Sequence, residues 1–166
     1  SHDATIYHQR VPKEGLARVM ALEAERMAHL RFDDEDVRHE RDVVIEERRQ
    51  RIDLSPLDLL NEQIMAMLHA GTPYAHPVLG WPEEIGRLTR TKAMTFYERH
   101  YRPGNAIVVV QGDVDPSEVF RLAKEAYGSI SSIGAAVDPH VPGSAGSRRQ
   151  RVERIDDRVA STSLVR

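Results

Sequence analysis

The chain has 166 residues and a mass of 18.8 kDa, the size of one average domain. Its 23 Lys and Arg against 26 Asp and Glu give a formal net charge of -3, which argues against a nucleic-acid module held by bulk positive charge. It contains no cysteine, which excludes disulfides and thiol catalysis, and no apolar run as long as the ~20 residues of a membrane span.

The first segments of the chain predict a strand followed by a helix. Residues 4–11 are rich in β-branched and aromatic side chains and end at a proline, which is typical of a strand. Apolar residues between 16 and 31 recur with a helical period, with alanine and glutamate between them, which indicates a helix. A short turn containing Pro12 and Gly15 separates the two segments.

Two further helices are predicted from the residues at their ends. Acidic residues crowd positions 33–36, where a helix dipole favours anions, and arginines lie within 48–51, where it favours cations. These charges predict a helix over 34–52, and we interpret its basic end as a solvated, salt-bridged surface. Ser55 and Pro56 then supply an N-cap and a first-position proline for the next helix.

One strongly apolar segment dominates the second half of the chain. Residues 106–112 read Ala-Ile-Val-Val-Val-Gln-Gly, and because they are apolar on both faces they predict a buried, central strand. The other elements predicted here are, in chain order, a loop at 69–77, a helical turn at 81–85, and helices at 91–100 and 116–127.

The last part of the chain changes in composition. Glycine, proline, serine and alanine accumulate there, which indicates a linker or long loop over 131–148, and residues 150–155 alternate enough to predict a last strand. We expect residues 1–130 to form part of one domain and residues 149–166 to contain a strand leading towards the remainder. Because three strands are few for so many helices, we expect that part of a larger domain is missing from the chain.

Two carboxylates share one face of the helix predicted over 34–52. Seven residues separate Glu40 from Glu47, which is about two helical turns, and Val43 and Val44 lie between them on that side. If this face packs inward, each carboxylate must find an arginine, a hydrogen-bond cluster or a metal ion, because an unpaired buried charge costs several kcal/mol. The spacing alone favours arginine-bridged carboxylates, since glutamates seven apart are common on helices.

The remaining candidate motifs are weaker. His69 and His76 bracket a loop with two prolines, and their spacing does not place two imidazoles on one helical face, so we interpret them as polar loop residues. Gln111-Gly112-Asp113 follows a predicted strand but lacks the further glycines of a dinucleotide site. No serine, histidine and aspartate stand in a recognisable nucleophile context.

Several motifs, taken in their order along the chain, resemble the insulinase/pitrilysin-type family of zinc metallopeptidases. They are Glu40-Arg41-Asp42-Val43-Val44-Ile45-Glu46-Glu47-Arg48-Arg49, Pro73-Tyr74-Ala75-His76-Pro77, Tyr101-Arg102-Pro103-Gly104-Asn105-Ala106 and Val108-Val109-Val110-Gln111-Gly112-Asp113-Val114. The similarity runs from residue 3 to about residue 130 and is closest in style to bacterial members that resemble mitochondrial processing peptidase subunits.

The resemblance implies both a fold and a zinc site. The fold would be α+β, with helices packed on one face of a mostly antiparallel sheet. Family members bind zinc through two histidines of a His-x-x-Glu-His helix, whose glutamate is the general base, and through a third ligand from a later helix. The Glu-Arg-Asp motif aligns that third zinc ligand with Glu47. It aligns Glu40 with a second carboxylate that supports the site without leading ligation.

The family's His-x-x-Glu-His motif does not occur in these 166 residues. In the family it lies further upstream than the 46 residues that precede Glu47, so we expect the chain to begin after the catalytic helix. The resemblance therefore implies, for the parent protein, a zinc-dependent endopeptidase that hydrolyses peptide or protein substrates with zinc-activated water. For this chain it implies an inactive fragment that binds no zinc, because one ligand does not make a catalytic zinc site.

Alternatives to this interpretation concern partners and location. Relatives of these enzymes include non-catalytic subunits of processing-peptidase-like complexes, so a subunit that pairs with an active partner is the alternative function.

Acidic residues interleaved with the arginines of the second helix argue against nucleic-acid binding. An incomplete sheet exposes edges, which predicts a homodimer or strand-mediated association. The resemblance to the family favours the periplasm as the compartment of the protein, with the cytoplasm as the alternative.

Overall fold

The computed structural model describes residues 1–131 and 151–159, and the regular structure within these ranges is helical. Six α-helices follow one another: α1 (Leu16–His29), α2 (Asp34–Arg48), α3 (Pro56–Leu68), α4 (Pro82–Gly86), α5 (Arg90–His100) and α6 (Pro116–Tyr127). A π-helical turn, Arg49–Asp53, continues α2, and short 3₁₀ turns precede α1, α4 and α6. The helices predicted from the sequence are thereby confirmed.

Side-chain caps explain where several helices begin. Ser55 Oγ accepts a hydrogen bond from the Asp58 amide at 3.3 Å, and Pro56 occupies the first position of α3. The Asp115 carboxylate accepts hydrogen bonds from two amides in the first turn of α6. Each cap satisfies backbone donors that the helix itself leaves without partners. The starts of α3 and α6 are therefore set by residues next to them in sequence.

The predicted α+β fold is wrong for the described residues, which contain no strand and no sheet. Residues 4–11, 106–112 and 151–155 carry no regular structure, and Gln150 and the linker predicted over 131–148 lie, apart from residue 131, outside the described ranges. The backbone at Ala106 is extended, with φ -126° and ψ 146°. Sequence favours extended backbone here, but a strand also needs a neighbouring segment to complete its hydrogen bonds.

The prediction that residues 106–112 are buried is also wrong. Ile107 is 91% exposed and Val109 is 82% exposed. Apolar side chains are buried only where other elements supply a surface to pack against, and the sequence of one segment does not specify that surface. Most of this segment is therefore exposed apolar chain without regular structure.

The described residues divide into two compact units. Residues 4–34 and 89–131 form one, and residues 1–3, 35–88 and 151–159 form the other. In the first unit α1 packs against α6, and Met20 and Ala24 of α1 are buried. In the second unit α3 packs against the π-helical turn, and Ile85 of α4 is buried. The residues that carry the chemistry of α2 lie in this second unit.

Tyr97 of α5 caps the carboxyl end of α1. Its hydroxyl lies 2.6 Å from the Met27 carbonyl oxygen and 3.0 Å from that of Arg26, and it accepts a hydrogen bond from the Leu30 amide at 3.3 Å. One hydroxyl thus serves backbone groups that the last turn of α1 leaves without helical partners.

We expect Tyr97→Phe to lower the free energy of unfolding by about 1–2 kcal/mol, because backbone groups at a partly buried helix end lose a partner. Urea denaturation followed by circular dichroism measures the change. Tyr74→Phe is the matched control, since the Tyr74 hydroxyl makes an exposed hydrogen bond to Asp3 at 2.8 Å. Equal losses in the two variants would contradict the capping role of Tyr97.

Candidate functional site

The candidate site lies at the carboxyl end of α2, where the helix widens into a π turn. Leu54 donates its amide hydrogen to the Arg49 carbonyl oxygen at 3.0 Å, the five-residue spacing of a π-helix. Such turns are rare in proteins and are frequent at functional sites. Glu46 and Glu47 stand immediately before this turn, and their surroundings differ.

The Glu47 carboxylate is accessible and has one arginine partner. Its side chain is 35% exposed, and Oε1 lies 2.9 Å from Arg51 Nη1, one turn along the chain. An ion pair at this exposure contributes at most about 1 kcal/mol, because water screens it and both side chains lose freedom. The arginine-bridged arrangement expected from the spacing is therefore present at Glu47, and it is weak enough for a cation to replace.

The neighbouring Glu46 carboxylate is more fully engaged. It accepts two hydrogen bonds from Arg49, both at 2.8 Å, and a third from Gln50 Nε2 at 2.8 Å. These bonds, with the Arg49 pair contributing most, lower the pKa of Glu46 to about 2. Of the two adjacent carboxylates, Glu47 has the fewer partners and is the better candidate for a metal ligand.

Glu40 lies on the exposed side of α2. Both Glu40 and Val43 are exposed, so the face predicted to pack inward does not do so along its whole length. Since Glu40 and Glu47 are seven residues apart on one helix, they still project from the same side. The supporting role of Glu40 stays a prediction.

The inward stripe of α2 lies one residue further along than Glu40 and Glu47. It consists of residues spaced three or four apart that are half-buried or buried, namely Val37, Arg41, Val44 and Arg48. Val37 and Val44 mark this stripe in the sequence, because they too are seven residues apart. Its continuation through two arginines is not apparent from the sequence.

Arg48 is the buried member of the stripe, and the interpretation of the 48–51 cluster as solvated is wrong for it. The residue is 3% exposed. Its Nη1 and Nη2 donate to the two carboxylate oxygens of Glu62, each at 2.7 Å, and Nη1 also donates to the Gly80 carbonyl at 2.9 Å. The hydrogen bonds to Glu62 raise the pKa of Arg48. No local signal identifies this pair, because Glu62 lies on another helix.

The loop histidines behave as the sequence suggests. His76 Nε2 pairs with the Glu84 carboxylate, and the His69 ring lies 6.0 Å from the Tyr74 ring. Across residues 1–131 and 151–159, no group of three or more His, Cys, Asp or Glu side chains is arranged to hold a metal ion. A carboxylate such as Glu47 fits zinc as one ligand, but these ranges do not supply the other two. Within them, no helix is long and apolar enough to cross a membrane.

Comparison with known proteins gives consistent matches along the chain. Residues 1–81 match the insulinase family, peptidase family M16, and residues 87–165 match the peptidase M16 inactive domain. The chain is 32% identical over 139 residues to the zinc protease PqqE of Helicobacter pylori, and 36% identical over 125 residues to an uncharacterised zinc protease of Mycobacterium leprae. These alignments cover 84% and 75% of the chain.

A solved structure shows the same similarity. The periplasmic protease PqqL of Escherichia coli matches with a TM-score of 0.70 and 26% sequence identity, over 81% of this chain and 15% of that one. The chain spans less than a third of the length of the curated relatives that it matches, 31% of the first and 28% of the second. The family match over residues 1–81 includes Glu40, Glu47 and the inward stripe of α2.

Proposed function

This chain belongs to the insulinase family of peptidases, family M16, and from that membership we propose that the whole protein is a zinc-dependent endopeptidase. Its relatives carry the name zinc protease, which supports a hydrolase that needs zinc. The single observation that carries the proposal in this chain is the accessible Glu47 carboxylate at the end of α2, beside a Glu46 carboxylate that is already engaged.

In the proposed mechanism Glu47 is the third zinc ligand and Glu40 supports the site from one side. Bound zinc would polarise the scissile carbonyl and lower the pKa of a bound water. Glu47 would exchange its ion pair with Arg51 for the metal, and α2 would hold its carboxylate in place. The two histidine ligands and the general-base glutamate have no counterpart in the 166 residues, so this chain by itself is proposed to be inactive and to bind no zinc.

Metal analysis tests the proposal. We expect one zinc per chain in the whole protein when it is purified without chelators, and peptide hydrolysis that a chelator abolishes and zinc restores. The 166-residue chain, prepared in the same way, is the control and should contain no zinc and cleave no peptide. Chelator-sensitive hydrolysis by the pure 166-residue chain would refute its proposed inactivity. Whole protein that contains no zinc would refute the proposal that it is a zinc-dependent endopeptidase.

A non-catalytic subunit of a processing-peptidase-like complex is the second candidate function. The chain is also 26% identical over 133 residues to cytochrome b-c1 complex subunit 1 of Rattus norvegicus, a relative named as a subunit of a complex and not as a protease, which favours this alternative. In that case Glu47 would keep Arg51 as a structural ion-pair partner. Zinc-free whole protein that still binds an active peptidase subunit would establish this alternative.

The partners that we propose are a peptide or protein substrate and a second copy of this chain. The apolar segment 106–110 is exposed over residues 106–109, has extended backbone at Ala106 and has no strand partner among the described residues, which favours strand-mediated association. We expect light scattering to show a mass that rises from monomer towards dimer as the concentration of the chain increases, and Val108→Lys to abolish this rise. A constant monomer at high concentration would contradict this. No nucleic-acid partner is proposed.

The compartment that we propose is the periplasm, with the cytoplasm as the alternative. The PqqL protease, a solved structure with the same fold over most of this chain, is described as periplasmic. Cell fractionation of the whole protein distinguishes the two compartments.

A further inference from the structure

A metal ligand must be held in position, and the residue after Glu47 holds the end of α2. Arg48 is buried at 3% exposure, and its guanidinium binds the Glu62 side chain, itself 10% exposed, through two hydrogen bonds of 2.7 Å. A two-bond pair between planar groups fixes both distance and orientation. This pair joins α2 to α3 at the level of Glu47.

A third attachment comes from the segment that leads into α4. Arg48 Nη1 donates to the Gly80 carbonyl at 2.9 Å, and Gly80 adopts a φ of +84° that favours glycine. A Cβ at Gly80 would meet the side chain of the buried Ile85 at 3.4 Å. The acceptor for Arg48 is therefore held by its own backbone conformation and by α4.

The π turn supplies a fourth contact. Asp53 closes this turn, and its Oδ1 lies 3.4 Å from Arg48 Nε, five residues back along the chain. Arg51, in the middle of the turn, reaches back to Glu47. The turn thus places the Asp53 carboxylate beside Arg48 and the Arg51 guanidinium beside Glu47. Glu47 and Arg48 are adjacent in sequence.

We propose that Arg48 is the positioning residue for Glu47, because its bonds to Glu62 and Gly80 fix the last turn of α2 from which the Glu47 carboxylate projects. This inference rests on the proposed zinc peptidase. A ligand displaced by more than about 0.5 Å loses productive metal geometry. Arg48 itself touches neither metal nor substrate in this scheme.

Hydrogen exchange on the 166-residue chain tests the anchoring without any metal. We expect Arg48→Met to speed amide exchange at residues 47–54 by tenfold or more, while amides of α1 and α6 in the other unit keep their wild-type rates. Arg49→Met is the matched control, since the Arg49 side chain is exposed and, within the part of the chain that the structure describes, forms its ion pair with Glu46, three residues earlier. Equal exchange at 47–54 in wild type and Arg48→Met would overturn the anchoring.

Zinc affinity of the whole protein tests the positioning. Competition with a chelator, at a temperature where circular dichroism shows each variant folded, should give a zinc dissociation constant raised about 10–100-fold in Arg48→Met and within twofold of wild type in Arg49→Met. Arg48→Lys should recover little, because an ammonium cannot form the two-bond pair. Glu62→Gln, which keeps the shape of the partner, replaces Arg48→Met if that variant does not fold.

The outcomes separate the two proposals. Wild-type protein without zinc would overturn the proposed peptidase and, with it, the role of Arg48 in metal binding. Zinc bound equally well by wild type, Arg48→Met and Glu62→Gln would overturn the positioning role alone. A purely structural role for Arg48 would lower the unfolding midpoint while leaving the zinc dissociation constant of the folded protein unchanged.

Discussion

Replacing Arg48 with methionine is expected to lower the free energy of unfolding of the unit that contains α2 and α3 by about 3–5 kcal/mol. Methionine fills much of the same space but leaves the Glu62 carboxylate largely buried without its cation, and the Gly80 carbonyl without its donor. Breaking one half of a buried ion pair is far more damaging than removing an exposed pair. Urea denaturation followed by circular dichroism gives the free energy.

Two further variants make this stability experiment decisive. Arg49→Met removes the same charge from the next residue, which is exposed, and should cost less than about 1 kcal/mol. The double variant Arg48→Met/Glu62→Leu removes both charges and should recover most of the loss, because no buried ion is then left alone. Similar losses in Arg48→Met and Arg49→Met would show that the buried pair does not stabilise this unit.

Glu47→Gln is expected to abolish zinc retention by the whole protein, with a loss in affinity of at least about 100-fold. The amide keeps the size of the side chain and lacks the negative charge that makes a carboxylate a zinc ligand. Metal analysis after gel filtration measures the zinc that stays bound. Glu46→Gln is the matched control, since its carboxylate is engaged by Arg49 and Gln50, and it should retain the wild-type zinc content.

Glu40→Gln distinguishes a supporting carboxylate from a ligand in the same assay. We expect it to lower peptide hydrolysis more than it lowers zinc content, because Glu40 is assigned no direct bond to the metal. Equal zinc content in wild type and Glu47→Gln would end the ligand assignment. Zinc lost equally from Glu46→Gln and Glu47→Gln would show that charge at the helix end matters and ligation by Glu47 does not.

The helices were predictable because their signals are local. Ser55 and Pro56 mark the start of α3 by themselves, and the acidic and basic ends of α2 lie on the helix that they delimit. The strands were not predictable in the same way. Residues 106–110 have the composition of a buried strand, yet burial and pairing depend on other segments, and the structure leaves residues 106–109 exposed.

The residues of the candidate site differ in the same way: some are identified by nearby sequence, and others depend on residues far along the chain. Glu47 follows from a motif contained within α2. Arg48 looked like a cation at a helix end, because the residues that bury it, Glu62 and Gly80, lie 14 and 32 residues further along the chain. Val37 and Val44 lie on the inward face, but no pattern within α2 indicates which carboxylate an arginine on that face will meet.

The π turn at Arg49–Asp53 lets the helix absorb a change in chain length at this point. A π turn holds more residues than an α-helical turn, so it resembles a single-residue insertion that the helix has kept. Deleting one residue would let the turn close to ordinary α-helix with its hydrogen bonds intact. Asp53 would then stand four residues after Arg48, on the same face of the helix, and the residues that follow would keep their orientation. A single deletion in this turn should therefore be tolerated better than one within Asp34–Arg48, where it would rotate everything that follows by about 100°.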